Sequence, residues 1–266
     1  MSILQALVLG VVQGITEFLP ISSSGHLILV PELLGWPLQD LAFDVMVHLG
    51  TLVAVVVVLR RDIKKLFRAF LSRENTPERS VAWMILAATV PVLVVAYFAS
   101  DIIENVLRVP LVVVISLVVW AIVLGIADWF AKKHSQTNKL KKIGWKQAMA
   151  IGFSQVIALI PGTSRSGITI TAGLFAGLSR RTAARFSFLL SVPAIAAAGA
   201  KSMYDLSNSV GVLDPMPLLV GFFAAMISGA FAIKILLELV ARMNYMIFVW
   251  YRLILAAAAI VILFVI

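Results

Sequence analysis

Glu17, Ser22, Ser23, Ser24 and His26 fall within QGITEFLPISSSGH (Gln13 to His26), and Arg165 lies in SQVIALIPGTSRSG (Ser154 to Gly167) beside Thr163, Ser164, Ser166 and Gly167. A carboxylate near a hydroxyl can take its proton or hold a divalent cation. An arginine presents a planar fork of donors to an anionic group. Polar residues of this kind are costly in apolar sequence and point to function when they occur there.

Each candidate also has a plainer reading. Glu17 follows Gln13 by four residues, so a helix would present both from one face. Its plainer role is a helix-end glutamate reaching for the membrane interface, but it lies just before Pro20 and the break. Capping explains one of Ser22, Ser23 and Ser24. Three in succession with Gly25 supply more hydroxyls than a cap needs, at a helix N-terminus that favours phosphate, and one serine is a candidate nucleophile. His26 is a candidate general acid, nucleophile or metal ligand, and equally a hydrogen-bonded structural residue. Arg165 reads as an anion clamp, compatible with a resting salt bridge to Glu17. Asp44 and His48, at i and i+4, either extend a polar site or satisfy one another. Arg180, Arg181 and Arg185 read as topology determinants.

The elements that position these residues belong to a membrane. The chain is 61% hydrophobic and 13% charged, with mean hydropathy +1.03. Stretches near 41–59, 82–100, 110–131, 186–200, 216–237 and 246–266 read as spanning helices. The net charge of +9 sits in short loops between apolar segments, the pattern of cytoplasmic loops and not of nucleic-acid binding. With no cysteine, disulfides and thiolate metal ligands are excluded. The N-terminus reads as a retained segment and not a signal peptide. Residues 1–34 and 147–178 each divide into two apolar pieces around a Pro/Ser/Gly break, each piece too short for the roughly 30 Å hydrocarbon core. They read as re-entrant hairpins with buried irregular tips.

The two hairpins are related. Gln5, Ala6, Gly10, Gln13, Gly25 and Gly35 fall 142 positions before Gln147, Ala148, Gly152, Gln155, Gly167 and Gly177, and Pro20 answers Pro161 with one residue inserted. The fold expected is an all-α polytopic membrane protein of two inverted-topology repeats, each a re-entrant hairpin plus three transmembrane helices. The single membrane domain comprises repeat one (1–131), a basic cytoplasmic linker (132–146) and repeat two (147–266). Basic segments 60–80 and 132–146 and the arginines after the second hairpin are expected inside, and the connections 101–109 and 201–216 outside. Repeat two has Leu159 for Glu17 and Ile168 for His26, which assigns acid and base chemistry to repeat one.

QGITEFLPISSSGH and PGTSRSG resemble the two signature motifs of the bacterial undecaprenyl-diphosphatase family, also linked to bacitracin resistance, and the resemblance extends over essentially the whole chain. It implies hydrolysis of undecaprenyl diphosphate to undecaprenyl phosphate and inorganic phosphate, recycling the lipid carrier for peptidoglycan, in the bacterial plasma membrane. It places the glutamate motif on Gln13 and Glu17, the serine motif on Ser22, Ser23, Ser24 and His26, and the arginine on Arg165. Many members carry glutamate at the position of Gln13, which leaves Glu17 to serve as base or as ligand of a divalent cation (Mg or Ca), with Gln13 as a neutral ligand. The expected mechanism is attack by Ser23, activated by Glu17 and stabilised by Arg165 and tip N–H groups, with His26 as proton donor or as alternative nucleophile. Ser22, Ser24, Gly25, Thr163, Ser164, Ser166 and Gly167 are expected to bind phosphate. A site opening to the outer face is expected, and a homodimer stays open. The alternative from another class is a flippase that carries a prenyl phosphate headgroup through the same inverted-repeat site.

Overall fold

A computed structural model describes residues 1–99, 102–103, 106–107, 109–133, 137–207 and 214–264, so the expected outer connections 101–109 and 201–216 lie partly outside the described residues. The described residues form α1 (Ile3–Phe18), α2 (Ser23–Leu33), α3 (Leu41–Val58), α4 (Arg60–Leu71), α5 (Pro77–Phe98), α6 (Pro110–Lys133), α7 (Trp145–Ile157), α8 (Arg165–Phe175), α9 (Arg180–Ser207), α10 (Pro215–Arg242) and α11 (Met246–Phe264). Helices α3, α5, α6, α9 and α10 are long and apolar enough to cross a bilayer. Large apolar side chains such as Val90 and Val94 of α5, Ile115 and Ile122 of α6, and Phe231 of α10 point outward. A surface of this kind requires lipid and not water as its solvent. The chain is a multi-pass membrane protein.

The first hairpin is α1 and α2, and the second is α7 and α8. All four helices are shorter than a span: α1, with 16 residues, rises only about 24 Å. Matching residues start both hairpins, because Gln5 Oε1 accepts from the Ser2 N–H at 2.8 Å and Gln147 Oε1 from the Gly144 N–H at 2.9 Å. The second hairpin returns to its starting end. Gln147 Nε2 donates to the Ala176 carbonyl at 2.7 Å, and Thr137 pairs with Gly177 and Ser179.

The halves pack reciprocally. Helix α1 lies against α10 and α7 against α5, while α3 and α9 also pack on α10 and α5 respectively. Gly10 and Gly152, paired by the sequence shift, permit this. A Cβ on Gly10 would lie 2.6 Å from the Gly221 carbonyl, and one on Gly152 would lie 2.5 Å from that of Ala88. Alanine at either position must push two helix backbones apart.

Two expectations need revision. The span expected at 186–200 is the middle of α9, which runs from Arg180 to Ser207. Its polar first turns stay helical because Arg180 pairs with Asp128 of α6 (2.5 and 3.0 Å) and Arg185 with Asp62 of α4 (2.6 Å). These arginines are therefore interhelical ties as well as basic residues. The basic segment 60–80 is also not all loop: α4 is amphipathic, with Ile63, Leu66, Phe67 and Phe70 on the apolar stripe and Arg60, Arg61, Lys64, Lys65 and Arg68 elsewhere around it. At that end Lys65, Lys139, Lys141 and Arg185 line one cavity, so the three basic segments share one end of the bundle.

Candidate active site

Pro20 ends the first hairpin's ascending helix and Pro161 lies in the turn that follows α7, and each tip then turns sharply into a second helix. The turns share an unusual backbone. Ser22 has φ 74° and ψ 94°, and Ser164 has φ 73° and ψ 110°. These are the non-glycine residues with positive φ among the described residues, a conformation that costs an L residue about 1–3 kcal/mol and is held by surrounding structure. Each serine caps the helix it precedes: Ser22 Oγ accepts from Gly25 N–H at 3.4 Å, and Ser164 Oγ from Gly167 N–H at 3.1 Å. Each also meets the serine two residues on, Ser24 at 3.3 Å and Ser166 at 3.2 Å.

The tips meet at Glu17, which is 7% exposed. Arg165 Nη2 donates to Glu17 Oε1 at 2.7 Å, and Ser23 Oγ donates to Oε2 at 2.8 Å. Gln13 Nε2 donates to the same Oε2 at 3.1 Å, while His48 Nε2 stands 3.8 Å away. Arg165 Nη1 donates to the Ser187 carbonyl at 3.2 Å, and Ser187 Oγ pairs with Thr169 at 2.7 Å, so α9 fixes the guanidinium through a backbone group. Ser166 Oγ donates across to the Leu19 carbonyl at 2.9 Å. A carboxylate, a hydroxyl and a guanidinium from two distant segments thus form one hydrogen-bonded cluster.

The cluster opens into a cavity of about 390 Å³ whose lining includes Glu17, Ser23, Ser24, Ser164 and Arg165 with Asp44 and His48 of α3. Its apolar wall comes from Leu41, Val45, Leu159, Ile195 and Ala198. The N-termini of α2 and α8 both reach it, bringing two positive dipole ends to one space. This arrangement suits an anion carried on an apolar chain.

The remaining expected residues take distinct places. His26 is stacked on Tyr251 of α11, with ring centroids 5.6 Å apart and planes 8° from parallel. Its Nδ1 lies 2.7 Å from the Ser22 carbonyl, which can only accept, so Nδ1 carries the proton and Nε2 takes the Tyr251 hydroxyl at 2.7 Å. Both ring nitrogens are therefore engaged behind the first tip, and the ring is not among the groups lining the cavity. Thr163 and Ser166 are fully buried, and Gly25 and Gly167 are also buried. Asp44 accepts from Gln39 at 3.0 Å, and its backbone carbonyl takes the Nδ1–H of His48 at 2.7 Å. His48, and not His26, is the imidazole within reach of Glu17.

Arg252 of α11 is the residue that motif reading does not find. Its side chain is fully buried and donates to five carbonyls: Gly162 (3.0 Å), Thr163 (3.1 Å), Leu117 (3.2 Å), Ser116 (3.3 Å) and Pro20 (3.5 Å). It therefore ties both tips to α6. The available signal was a lone arginine in the apolar stretch from Met246 onward. Ser187 offered no such signal, since its contact with Arg165 runs through the backbone.

The chain is similar to known proteins over nearly its whole length. A family model described as Bacitracin resistance protein BacA matches residues 6–258. The chain is 40% identical over 267 residues to Undecaprenyl-diphosphatase 1 of Pseudoalteromonas translucida (strain TAC 125), covering 99% of each chain. It is 45% identical to the Undecaprenyl-diphosphatase of Colwellia psychrerythraea (strain 34H / ATCC BAA-681) and 44% identical to that of Teredinibacter turnerae (strain ATCC 39867 / T7901). Each of those two alignments covers 96% of this chain and 97% of the relative.

Proposed function

The chain belongs to the Bacitracin resistance protein BacA family, and on that premise we propose that its two tips form the composite active site of an undecaprenyl-diphosphate phosphatase. The protein hydrolyses undecaprenyl diphosphate to undecaprenyl phosphate and inorganic phosphate, returning the lipid carrier to cell-wall synthesis. One observation carries the site assignment: Ser23 and Arg165 share the Glu17 carboxylate at 2.8 and 2.7 Å inside a cavity with an apolar wall.

In this reading Ser23 Oγ attacks the terminal phosphorus while its proton passes to Glu17, which already accepts it in a hydrogen bond. The bond from that phosphorus to the bridging oxygen breaks, undecaprenyl phosphate leaves, and phosphate stays on Ser23 until water releases it. Arg165 spends two donors on Glu17 and Ser187, which leaves three of a guanidinium's five for phosphate oxygens. Ser24, Ser164 and the first N–H groups of α2 and α8 complete the anion cradle, while the buried Ser166 ties the tips through the Leu19 carbonyl. The proton role expected of His26 falls to His48, whose Nε2 faces Glu17. His26 and Arg252 act as positioning residues, the first on Ser22 and the second on both tips.

The donor set fits a divalent cation, magnesium or calcium, held with the substrate. Gln13 Oε1 is buried without a hydrogen-bond partner, an acceptor that an oxygen-liganded cation satisfies beside Glu17. Among the described residues no group of three or more acidic, histidine or cysteine side chains is placed to hold a metal, so phosphate oxygens would complete its shell. When bound, the ion supplies charge neutralisation on those oxygens.

The inverted-repeat reading is supported by the reciprocal packing of α1 on α10 and α7 on α5 and by the matched tip geometry. The positive-inside rule assigns the end bearing Lys65, Lys139 and Lys141 to the cytoplasm, which leaves the cavity beside Leu41 and Ser202 opening to the outer face. The relatives named above are phosphatases, and no observation favours the carrier alternative. Phosphate release by purified protein, followed by isolation of the phosphoenzyme, tests the assignment. A phosphoenzyme retained in Ser23→Ala and lost in His26→Ala would sink it.

A further inference from the structure

Two cavities lie at the basic end of the bundle, away from the tips. There a polar cavity of about 270 Å³ and an apolar cavity of about 320 Å³ are stacked along the same three helices. Leu66 of α4 lines both. Their linings are neighbours elsewhere: Val81 of the polar cavity adjoins Ala82 of the apolar one on α5, and Arg185 lies one turn from Leu189 on α9. The two adjoin at Leu66 as a crevice with one part lined by charges and the other by Phe67, Phe70, Leu86 and Leu189.

The charges at the mouth do not balance. Lys65, Lys139, Lys141 and Arg185 face two carboxylates, Asp62 and Glu78, and Asp62 is already spent on a bidentate pair with Arg185. Among the described residues the three lysines belong to no ion pair shown. They sit beside an amphipathic helix whose apolar Phe67 and Leu71 are exposed, and Trp83, tilted against Phe70 with ring centroids 4.9 Å apart, is of the residue type that favours a membrane interface. A cationic mouth over a dry apolar slot complements a phosphate headgroup attached to an acyl chain.

We propose that this crevice binds one anionic phospholipid, its headgroup phosphate among Lys65, Lys139 and Lys141 and one acyl chain in the slot between α4, α5 and α9. Neither cavity is lined by Glu17, Ser23 or Arg165, so the occupant is not the reacting diphosphate and the inference stands apart from the assigned reaction.

The test is native mass spectrometry of the full-length protein exchanged into phosphatidylglycerol and phosphatidylcholine of matched chains. One phosphatidylglycerol should be retained at energies that strip phosphatidylcholine. Replacing Lys65, Lys139 and Lys141 together by Gln should reduce that preference on the order of 100-fold, as expected for three lysines near a membrane surface. The triple variant should keep wild-type hydrolysis, which controls for folding. Leu189→Trp, and separately Leu86→Trp, should expel the retained lipid by filling the slot. Equal retention of the two lipids by the wild-type protein overturns the proposal, as does an unchanged preference in the triple variant. Displacement by water-soluble glycerol phosphate at comparable concentration also overturns it, since the slot would then contribute nothing.

Discussion

The two tips share a backbone and differ in what hangs from it. Ser22 and Ser164 adopt nearly the same left-handed conformation and cap their helices through the same contacts. At the matching positions that follow, Ser23 stands where the second tip has Arg165, and His26 where it has Ile168; before the turn, Glu17 stands where it has Leu159. The candidate nucleophile and the candidate anion clamp are therefore the same position of two copies. Two tips of matched backbone thus present a hydroxyl and a guanidinium to the same carboxylate. Glu17 joins the two tips, since it accepts from both.

This division of labour can be broken by substitution, beginning with the reacting atom. Ser23→Ala should lower kcat by about 10⁴-fold or more, as loss of a nucleophile does elsewhere, and abolish the phosphoenzyme in a rapid-quench assay. Arg165→Ala should cost roughly 10²- to 10³-fold in kcat/KM, and Arg165→Lys should recover only part of this, because a lysine cannot reach Glu17, Ser187 and phosphate together. Full activity in Arg165→Ala would show that the second tip is only scaffold. Arg252→Met removes the tie between the tips and leaves five carbonyls without their donor. A stability loss of about 3–5 kcal/mol follows from leaving buried polar groups unpaired, read as a lowered Tm in detergent, with kcat falling more than KM rises. Tyr251→Phe is the mildest change. It withdraws one hydrogen bond from His26, worth about 1 kcal/mol, and should leave kcat within tenfold of wild type. A collapse of activity in Tyr251→Phe would instead place His26 in the chemistry.

The same comparison explains what could be read from the chain. The tips were legible because polar residues stand out against apolar sequence and because one copy calibrates the other: Gly10 with Gly152, Gln13 with Gln155 and Gly25 with Gly167. The expected salt bridge between Glu17 and Arg165 is present at 2.7 Å. Spans such as α3 and α6 were legible from continuous hydrophobicity. The ends of α9 were not, because helical hydrogen bonds continue through polar turns when interhelical ion pairs steady them, as Arg180 and Arg185 are steadied. The placement of His26 also escaped, since its partner Tyr251 lies 225 residues away. Backbone acceptors are the least legible of all: Ser187 holds Arg165, and Pro20, Gly162 and Thr163 hold Arg252, through atoms every residue has.

Arg252 also bears on how the protein is made. It lies in α11, while every carbonyl that receives it comes from residues synthesised earlier, from Pro20 to Thr163. An arginine threaded alone into the bilayer centre costs about 2.5–3.5 kcal/mol even by lenient insertion scales. That cost disappears when the receiving tips are already assembled beside it. Docking of α11 thus depends on the tips being in place, and the same contacts lock the two tips together.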